Sequence, residues 1–426
     1  MRVLISGAGI AGPTLAWHLA KAIDDVEITI LERNPSLLKQ GQNIDIKAGA
    51  LNVIKNMGLL DEINRLNTSE KGTHFLDPKG RVYASFPVRD GIEASLTSAH
   101  EILRGDLGAV LYEATKDLPK VKYLLGVTIA KVISNDERCA KVELSNGDVG
   151  EYDFVVAADG QWSRVRRWCF PQDSVEIVSK ETYYCYWTIP RVPSDIDWWY
   201  IYTALDSKVL SLRPDPHGTM RATMTRMPTT DAEKAEWAKV SRGDRQAQED
   251  LLRREFAGAG WQAERLLDGM AKADDFFFQP LVQVRMQQWS TSRVVCIGDA
   301  AHAATPLTGM GTSLALMGAY ILAGEIASLE PGQHPAKAFE AYEAAFKPYV
   351  LKIQDIPSFM PGVTYPGSGL KRWILQRVIG FMASAISVLA WSPWVFKKMF
   401  GDGDEEFPLP AYPAFQALGS QREKAK

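Results

Sequence analysis

At 426 residues the chain is too long for one ordinary compact core, so two or three domains are expected. Hydrophobic residues make up 46% and charged residues 23%, which is ordinary globular usage. A net charge of −3 offers no basic surface for phosphate neutralisation and argues against a general nucleic-acid binder.

The four cysteines, Cys139, Cys169, Cys185 and Cys296, form no Cys-x-x-Cys pair, and the six histidines form no His-Glu-x-x-His. Free thiols in a reducing compartment and no metal site are expected. Arg2 leads directly into Val3-Leu4-Ile5 and a glycine turn, so no signal peptide is read and a cytoplasmic protein is expected. No apolar run reaches the roughly 18 residues of a spanning helix.

In chain order, residues 2–6 predict a short buried strand and 10–23 a helix, with Ile10, Leu15, Leu19 and Ile23 at helical spacing. Residues 26–31 predict a second strand that ends at Glu32. Helices are predicted within 44–60, after an extended entry, and over 102–115. Residues 121–144 read as hairpin-like strands, with Asn146-Gly147 as a turn. Residues 154–158 form a strand that runs into Asp159-Gly160. Beyond about 172 the strands 182–189, 198–204, 208–213 and 219–226 are aromatic-rich and suggest an antiparallel sheet. A charged helical stretch covers 231–256. Residues 294–297 are again a buried strand, and helices follow over 311–328 and 336–352. Pro357, Pro361, Gly362, Pro366 and Gly367 mark a boundary before a helical C-terminal segment.

Three motifs carry chemistry. Gly7-Ala8-Gly9-Ile10-Ala11-Gly12 follows a strand, opens a helix and is answered 20 residues later by Glu32. Gly7 permits the tight turn, Gly9 lets the backbone approach a pyrophosphate, and Gly12 lets the helix pack on the strand. Glu32, with Arg33 beside it, can accept hydrogen bonds from ribose hydroxyls. Ala157-Ala158-Asp159-Gly160-Gln161-Trp162-Ser163-Arg164-Val165-Arg166 is a strand end, a glycine turn and a helix start, with Ser163 or Asp159 as the capping residue. Val294-Val295-Cys296-Ile297-Gly298-Asp299-Ala300-Ala301-His302 is followed by Pro306, Gly309, Gly311 and Thr312. Here Asp299 could bond a ribityl hydroxyl, and the helix that starts near Gly311 could stabilise negative charge on a reduced flavin. A packed, structural role is read for His302.

In this order and spacing the motifs resemble those of the single-component flavoprotein hydroxylases of the p-hydroxybenzoate hydroxylase type. The chain looks most similar to the tetracycline-inactivating and fungal secondary-metabolite monooxygenases. The resemblance runs from Met1 to about Pro348. It implies a Rossmann-like FAD-binding domain, an α/β fold with an inserted, mostly antiparallel β-sheet substrate domain, and a helical C-terminal segment. The expected divisions are 1–172 and 285–356 for FAD, 173–284 for substrate and 357–426 for the C-terminal segment. It also implies that Arg104 contacts the flavin, that residues 42–46 lie beside its ring, and that the Asp159-Gly160 segment touches both FAD and NAD(P)H. Family members often have Asn where Ser313 stands and Gly where Ser292 stands. Only one complete Gly-x-Gly-x-x-Gly unit is present, so NAD(P)H is expected to bind transiently.

The implied reaction is oxygen transfer from a flavin C4a-hydroperoxide, formed with NAD(P)H and O2, to an aromatic or polycyclic, polyketide-like molecule. Secondary metabolism or detoxification is the expected setting. A halogenase is weakly suggested by Trp187-Thr188-Ile189-Pro190, but the Gly-Trp that would precede it is absent. A Baeyer-Villiger outcome, a flavin oxidoreductase without oxygen insertion, and a non-catalytic flavin protein remain as alternatives. On the strand 182–189, Tyr184 and Tyr186 face one side while Tyr183, Cys185 and Trp187 face the other. Period two does not say which side meets substrate, so Tyr184, Tyr186, Trp187, Arg213 and Arg226 are the pocket candidates. The apolar segment 370–396 is expected to pack across the domains and help close the cavity; weak membrane contact is the rival reading.

Overall fold

The structure, a computed structural model, describes residues 1–37, 41–47, 49–88, 100–357, 359–389 and 407–415. One sheet carries, in spatial order, the strands Ser290–Thr291, Val294–Cys296, Phe154–Ala157, Arg2–Ser6, Glu27–Glu32 and Val121–Leu125. All its pairings are parallel except that of the short edge strand Ser290–Thr291. A parallel sheet is covered on both faces, so its strands read as unbroken apolar runs. Val3, Leu4, Ile5, Val155, Val156, Val294 and Val295 accordingly have no exposure. The helices Ala11–Ala22, Gly311–Ala327 and Ala336–Gln354 share this core, and Phe339 meets Phe154 edge-on at 5.6 Å.

Residues 121–125 were expected in a hairpin, but they pair parallel with Glu27–Glu32. The reason lies upstream. The helix Arg104–Glu113 precedes them, and a helical crossover delivers a parallel strand. The Asn146-Gly147 turn does join two antiparallel strands, Ala140–Leu144 and Val149–Tyr152.

The second sheet has seven strands: Phe277–Met286, Val175–Pro190, Thr219–Arg226, Lys208–Pro214, Trp199–Thr203, Gly72–Leu76 and Val82–Pro87. It is antiparallel except where Trp199–Thr203 meets Gly72–Leu76. Its last two strands come from well before residue 172, so the chain enters this sheet earlier than the expected division at 173. The hairpin Gly72–Pro87 turns through Asp77, Pro78 and Gly80, with Asp77 N–H donating to Arg81 O at 2.9 Å.

Register decides which face of the central strand is which. Tyr183, Cys185, Trp187 and Ile189 stand opposite Arg226, Met224, Ala222 and Met220. That face is covered by the helices Asp231–Val240, Arg245–Phe256 and Ala263–Met270 and forms a second core with Trp237, Leu252, Phe256 and Leu266. Trp187 donates its indole N–H to Leu266 O at 3.0 Å. Arg226 lies on the same side and pairs with Glu233 at 2.7 Å and Glu255 at 3.5 Å. Trp187 and Arg226, expected as pocket candidates, are therefore core groups: the pleat turns them toward the helices. Tyr184, Tyr186 and Thr188 share the opposite face with Thr225, Thr223 and Arg221.

The helix Gly369–Leu389 lies along the edge strand Val82–Pro87, where Ile379, Ala383 and Ile386 meet Phe75, Tyr83, Ala84 and Phe86. Trp373, Phe381 and Val388 on its outer side are exposed. No described helix is long and apolar enough to cross a membrane. Trp391 and Trp394 lie outside the described residues. Residues 407–415 return to the first core: Tyr412 OH donates to Glu325 at 2.7 Å, and Tyr320 OH donates to Pro410 O at 3.1 Å.

Replacing Trp187 by Ala should cost about 3–5 kcal/mol of stability in urea unfolding, and Trp187→Phe, which keeps a ring but loses the hydrogen bond, should cost less. A loss below about 1 kcal/mol for the Ala variant would take this ring out of the core.

Candidate cofactor and substrate site

The strands Arg2–Ser6, Phe154–Ala157 and Val294–Cys296 are neighbours and run parallel. Their carboxyl ends, and the three motifs that follow them, therefore lie side by side, where open α/β sheets bind ligands. The backbones meet there with no room for side chains. A Cβ on Gly7, whose φ is +118°, would lie 2.3 Å from Ala158 O. A Cβ on Gly12 would lie 2.1 Å from Gly7 O. Gly298 has φ +56°, and a Cβ there would come 3.3 Å from the Ala11 Cβ. Gly9 is different. A Cβ there would meet nothing within 4 Å, and its φ is not positive. Packing among the described residues therefore does not require a glycine here. No side chain caps the helix that starts after Ile10, which leaves first-turn N–H groups free.

Glu32 closes the turn from the next strand. Its carboxylate accepts from Ala8 N–H at 3.3 Å, Asn34 N–H at 3.0 Å and the Asn34 side chain at 2.8 Å. Arg33 beside it is exposed. Asp159 Oδ2 accepts from Arg164 N–H at 2.9 Å, while its Oδ1 is buried without a partner. Burial raises the pKa of this carboxyl. Asp299 is half-buried and takes no hydrogen bond from the described residues. Burial raises its pKa too, with the nearby Arg104 opposing.

Arg166 binds two of these motifs together. Its guanidinium is buried and donates to Ala300 O at 2.6 Å and Gln161 O at 2.7 Å. Ser163 caps the same short helix by accepting from Arg166 N–H at 3.0 Å. The motif read from the sequence ends at Arg166 but gives it no role, because a pattern of residue types does not show that a charge is buried.

The helix Gly311–Ala327 points its uncapped N-terminus into this region. It is reached through Thr305, with φ +67°, a turn at Pro306–Thr308, and Gly309 in the left-handed region at φ +63°. Thr312 is half-buried. Ser313, where Asn is common among the resembling enzymes, accepts from Lys47 N–H at 3.0 Å and so holds the 41–47 loop against the helix. Arg104 starts the helix Arg104–Glu113 and donates its N–H to Gln42 O at 3.0 Å. Its charge favours the ionised forms of both Tyr186 and Asp299, against the burial that raises their pKa.

On the sheet face, Tyr186 packs against Tyr184 at 5.9 Å and Phe277 at 5.1 Å between ring centroids. Burial pushes the Tyr186 phenol up to about 12 and raises Tyr184 as well. Arg221 pairs with Asp275 at 2.5 Å and Asp215 at 3.7 Å and donates to the Thr188 hydroxyl. Arg213 lies 4.0 Å over the Trp199 ring and pairs with Glu70 at 3.0 Å and with Glu101. Glu101 also accepts from Asn43 Nδ2 at 2.9 Å and from the Thr68 hydroxyl. Arg213, expected as a ligand to substrate, is thus held by two carboxylates. Glu70, Glu101, Asp275 and Phe277 were not read from the sequence, since their partners lie far away along the chain.

His302 is buried, 3.3 Å from Tyr342 OH, with Trp289 at 4.7 Å. Burial lowers its pKa to about 4, so at neutral pH it is a neutral, packed ring. Among the described residues no group of three or more His, Cys, Asp or Glu could hold a metal ion.

The glycines separate fold from ligand binding. Gly12→Ala should destabilise the apoprotein by several kcal/mol, because its Cβ meets a backbone oxygen that cannot move cheaply. Gly9→Ala should leave apoprotein stability within about 0.5 kcal/mol and weaken cofactor binding by roughly tenfold or more. Urea unfolding and a flavin titration of both variants check this; equal stability losses would contradict it.

A family model for the FAD binding domain matches residues 1–355. The chain is 31% identical to the FAD-dependent monooxygenase asL6 of Sarocladium schorii, over 98% of this chain and 99% of the relative. It is 34% identical to asL4 of the same organism, over 97% and 98%. Its structure superposes on the tetracycline destructase Tet(55) with a TM-score of 0.75 and 27% identity, covering 96% of this chain and 98% of the other. The fold is shared with Klebsiella pneumoniae HpxO in complex with FAD and uric acid, at a TM-score of 0.68, 19% identity, and 91% and 97% coverage. Three glycine-rich strand ends meeting at one edge, under an aromatic sheet face, and full-length likeness to these enzymes lead to one assignment: the chain belongs to the FAD-dependent monooxygenases of the p-hydroxybenzoate hydroxylase type.

Proposed function

We propose that the enzyme uses NAD(P)H and O2 to hydroxylate an aromatic or polyketide-like small molecule in secondary metabolism or detoxification, in a reducing compartment such as the cytoplasm. The observation that carries this reading is the sheet face on which Tyr184, Tyr186 and Phe277 stand together toward Arg104 and the Gly298-Asp299 turn. Aromatic walls with few free polar groups suit flat, polycyclic ligands. The named relatives support the same class: two fungal monooxygenases and a tetracycline destructase. Four unpaired cysteines support the compartment.

Bound FAD, reduced by NAD(P)H, would supply the oxygen chemistry. The chain's own part is to bind, orient and shield. The bare backbone of Gly9, with Gly7, Ile10, Ala11 and Gly12, would take the pyrophosphate, and Glu32 the ribose, with Arg33 at the rim. Asp159 Oδ1 and the Asp299 carboxylate have no hydrogen-bond donor among the described residues and would receive cofactor hydroxyls. Gly298, Pro306, Gly309, Gly311 and Thr312 shape the backbone at the N-terminus of the Gly311 helix, which would face the electron-rich edge of the ring. Arg104 would flank it. Tyr184 and Tyr186 remain protonated at neutral pH, so they would donate to a substrate oxygen and would not act as bases.

Oxygen-18 labelling from O2 in a product 16 mass units heavier than its substrate tests the reaction class. Coupling tests the wall. Tyr186→Ala and Tyr184→Ala should retain FAD and remain reducible by NAD(P)H, while product per NAD(P)H falls roughly tenfold and H2O2 rises. Unchanged product per NAD(P)H in both variants would remove this face from the pocket.

A further inference from the structure

The helix Gly369–Leu389 packs through only one of its sides. Ile379, Ala383 and Ile386, at steps of four and three residues, meet the edge of the second sheet. Trp373, Ile374, Val378, Phe381, Met382 and Val388 recur at helical spacing on the other side and are 48% to 75% exposed. A helix that is apolar on both sides is ordinarily covered on both. Six large side chains in one stripe also differ from the scattered apolar exposure of a common protein surface.

The charge around the stripe is one-sided. From Ile356 to Gly401 the sequence holds no Asp or Glu, against 51 in the whole chain, while Lys371, Arg372, Arg377, Lys397 and Lys398 fall within it. Lys371 and Arg377 are exposed, and neither makes an ion pair with a described residue. The Arg377 guanidinium lies 5.3 Å from the centre of the Trp373 ring, so a cation stands within the apolar stripe itself. This argues against a second copy as the cover. A two-fold contact sets each patch on its own image, and Lys371 and Arg377 would then meet like charges with no carboxylate of the segment to answer them. Crossing a bilayer is not open to it, since no described helix is long and apolar enough. A surface with acyl chains for Trp373, Phe381 and Val388 and phosphates for Lys371 and Arg377 meets both requirements at once.

We propose that the outer side of this helix docks flat on an anionic phospholipid membrane while its inner side stays on the sheet. Packing and membrane contact are then not rivals, because they use opposite sides of one helix.

Flotation of the full-length, FAD-loaded enzyme with vesicles of phosphatidylcholine alone, and of phosphatidylcholine with about 30% phosphatidylglycerol, tests this. The enzyme should partition onto the anionic vesicles about tenfold or more strongly than onto the neutral ones, and added salt should release it. Phe381→Asp should weaken the anionic partition about tenfold or more, with FAD content and urea midpoint unchanged. If that variant does not fold, Arg377→Glu, an exposed change that keeps the apolar residues, should weaken it about fivefold or more. Absence of flotation with either vesicle overturns the proposal, as does equal partition onto both or binding that neither variant weakens. A dimer in sedimentation equilibrium that Phe381→Asp splits overturns it in favour of a second copy on this face.

Discussion

The contact on which this molecule depends is between backbones. Gly12 lies against Gly7, Gly7 lies against Ala158, and Gly298 lies against Ala11, each closely enough that a side chain would collide or crowd. Such approach is possible only because three adjacent parallel strands end together and glycine or alanine follows each within two residues. It brings the N-terminal end of the first helix, the carboxylates of Asp159 and Asp299 and the N-terminal end of the Gly311 helix to one sheet edge. Partial positive charge from the helix ends and acceptor oxygens from the carboxylates then stand ready for a ligand that carries both phosphates and hydroxyls. Arg166 holds the arrangement from behind through Ala300 O and Gln161 O, two contacts to different motifs from one rigid fork.

The second sheet is positioned on this edge by charge as well as by packing. Glu101 precedes Arg104 by three residues, accepts from Asn43 on the short strand Asn43–Asp45 paired beside it, and pairs with Arg213 on the second sheet. One buried cluster therefore ties the short strand Glu101–Leu103, which leads into Arg104, to the aromatic face. Removing one member would leave an uncompensated charge in a poorly solvated place, which costs far more than the pair's net contribution.

How much of this could be read from the sequence differs from residue to residue. The Gly7–Gly12 turn, the Gly298-Asp299 turn and the strands leading to them were legible, because backbone demands on glycine and unbroken apolar runs are local signals. The alternation of Tyr184 and Tyr186 against Tyr183 and Trp187 was legible as well. Which set faced the helices was not, since period two is symmetric and only the later helices, with Trp237 and Leu266, break the tie. Arg213 and Arg226 were read as ligand candidates because a buried arginine looks the same as a free one until its partners, up to 143 residues away for Arg213 and Glu70, are brought to it. The strands 72–76 and 82–87 were missed as members of the second sheet for the same reason. Their hairpin signal is local, but their parallel pairing with residues 199–202 is not.

The central claim is that the three strand-end motifs form one flavin site. Titrating the apoprotein with FAD, for wild type and Asp299→Ala, tests it most directly. Loss of one hydrogen bond to a charged group predicts binding weaker by about 10- to 150-fold with an unchanged urea midpoint in the absence of flavin. An unchanged FAD affinity would place Asp299 outside the site and contradict the account.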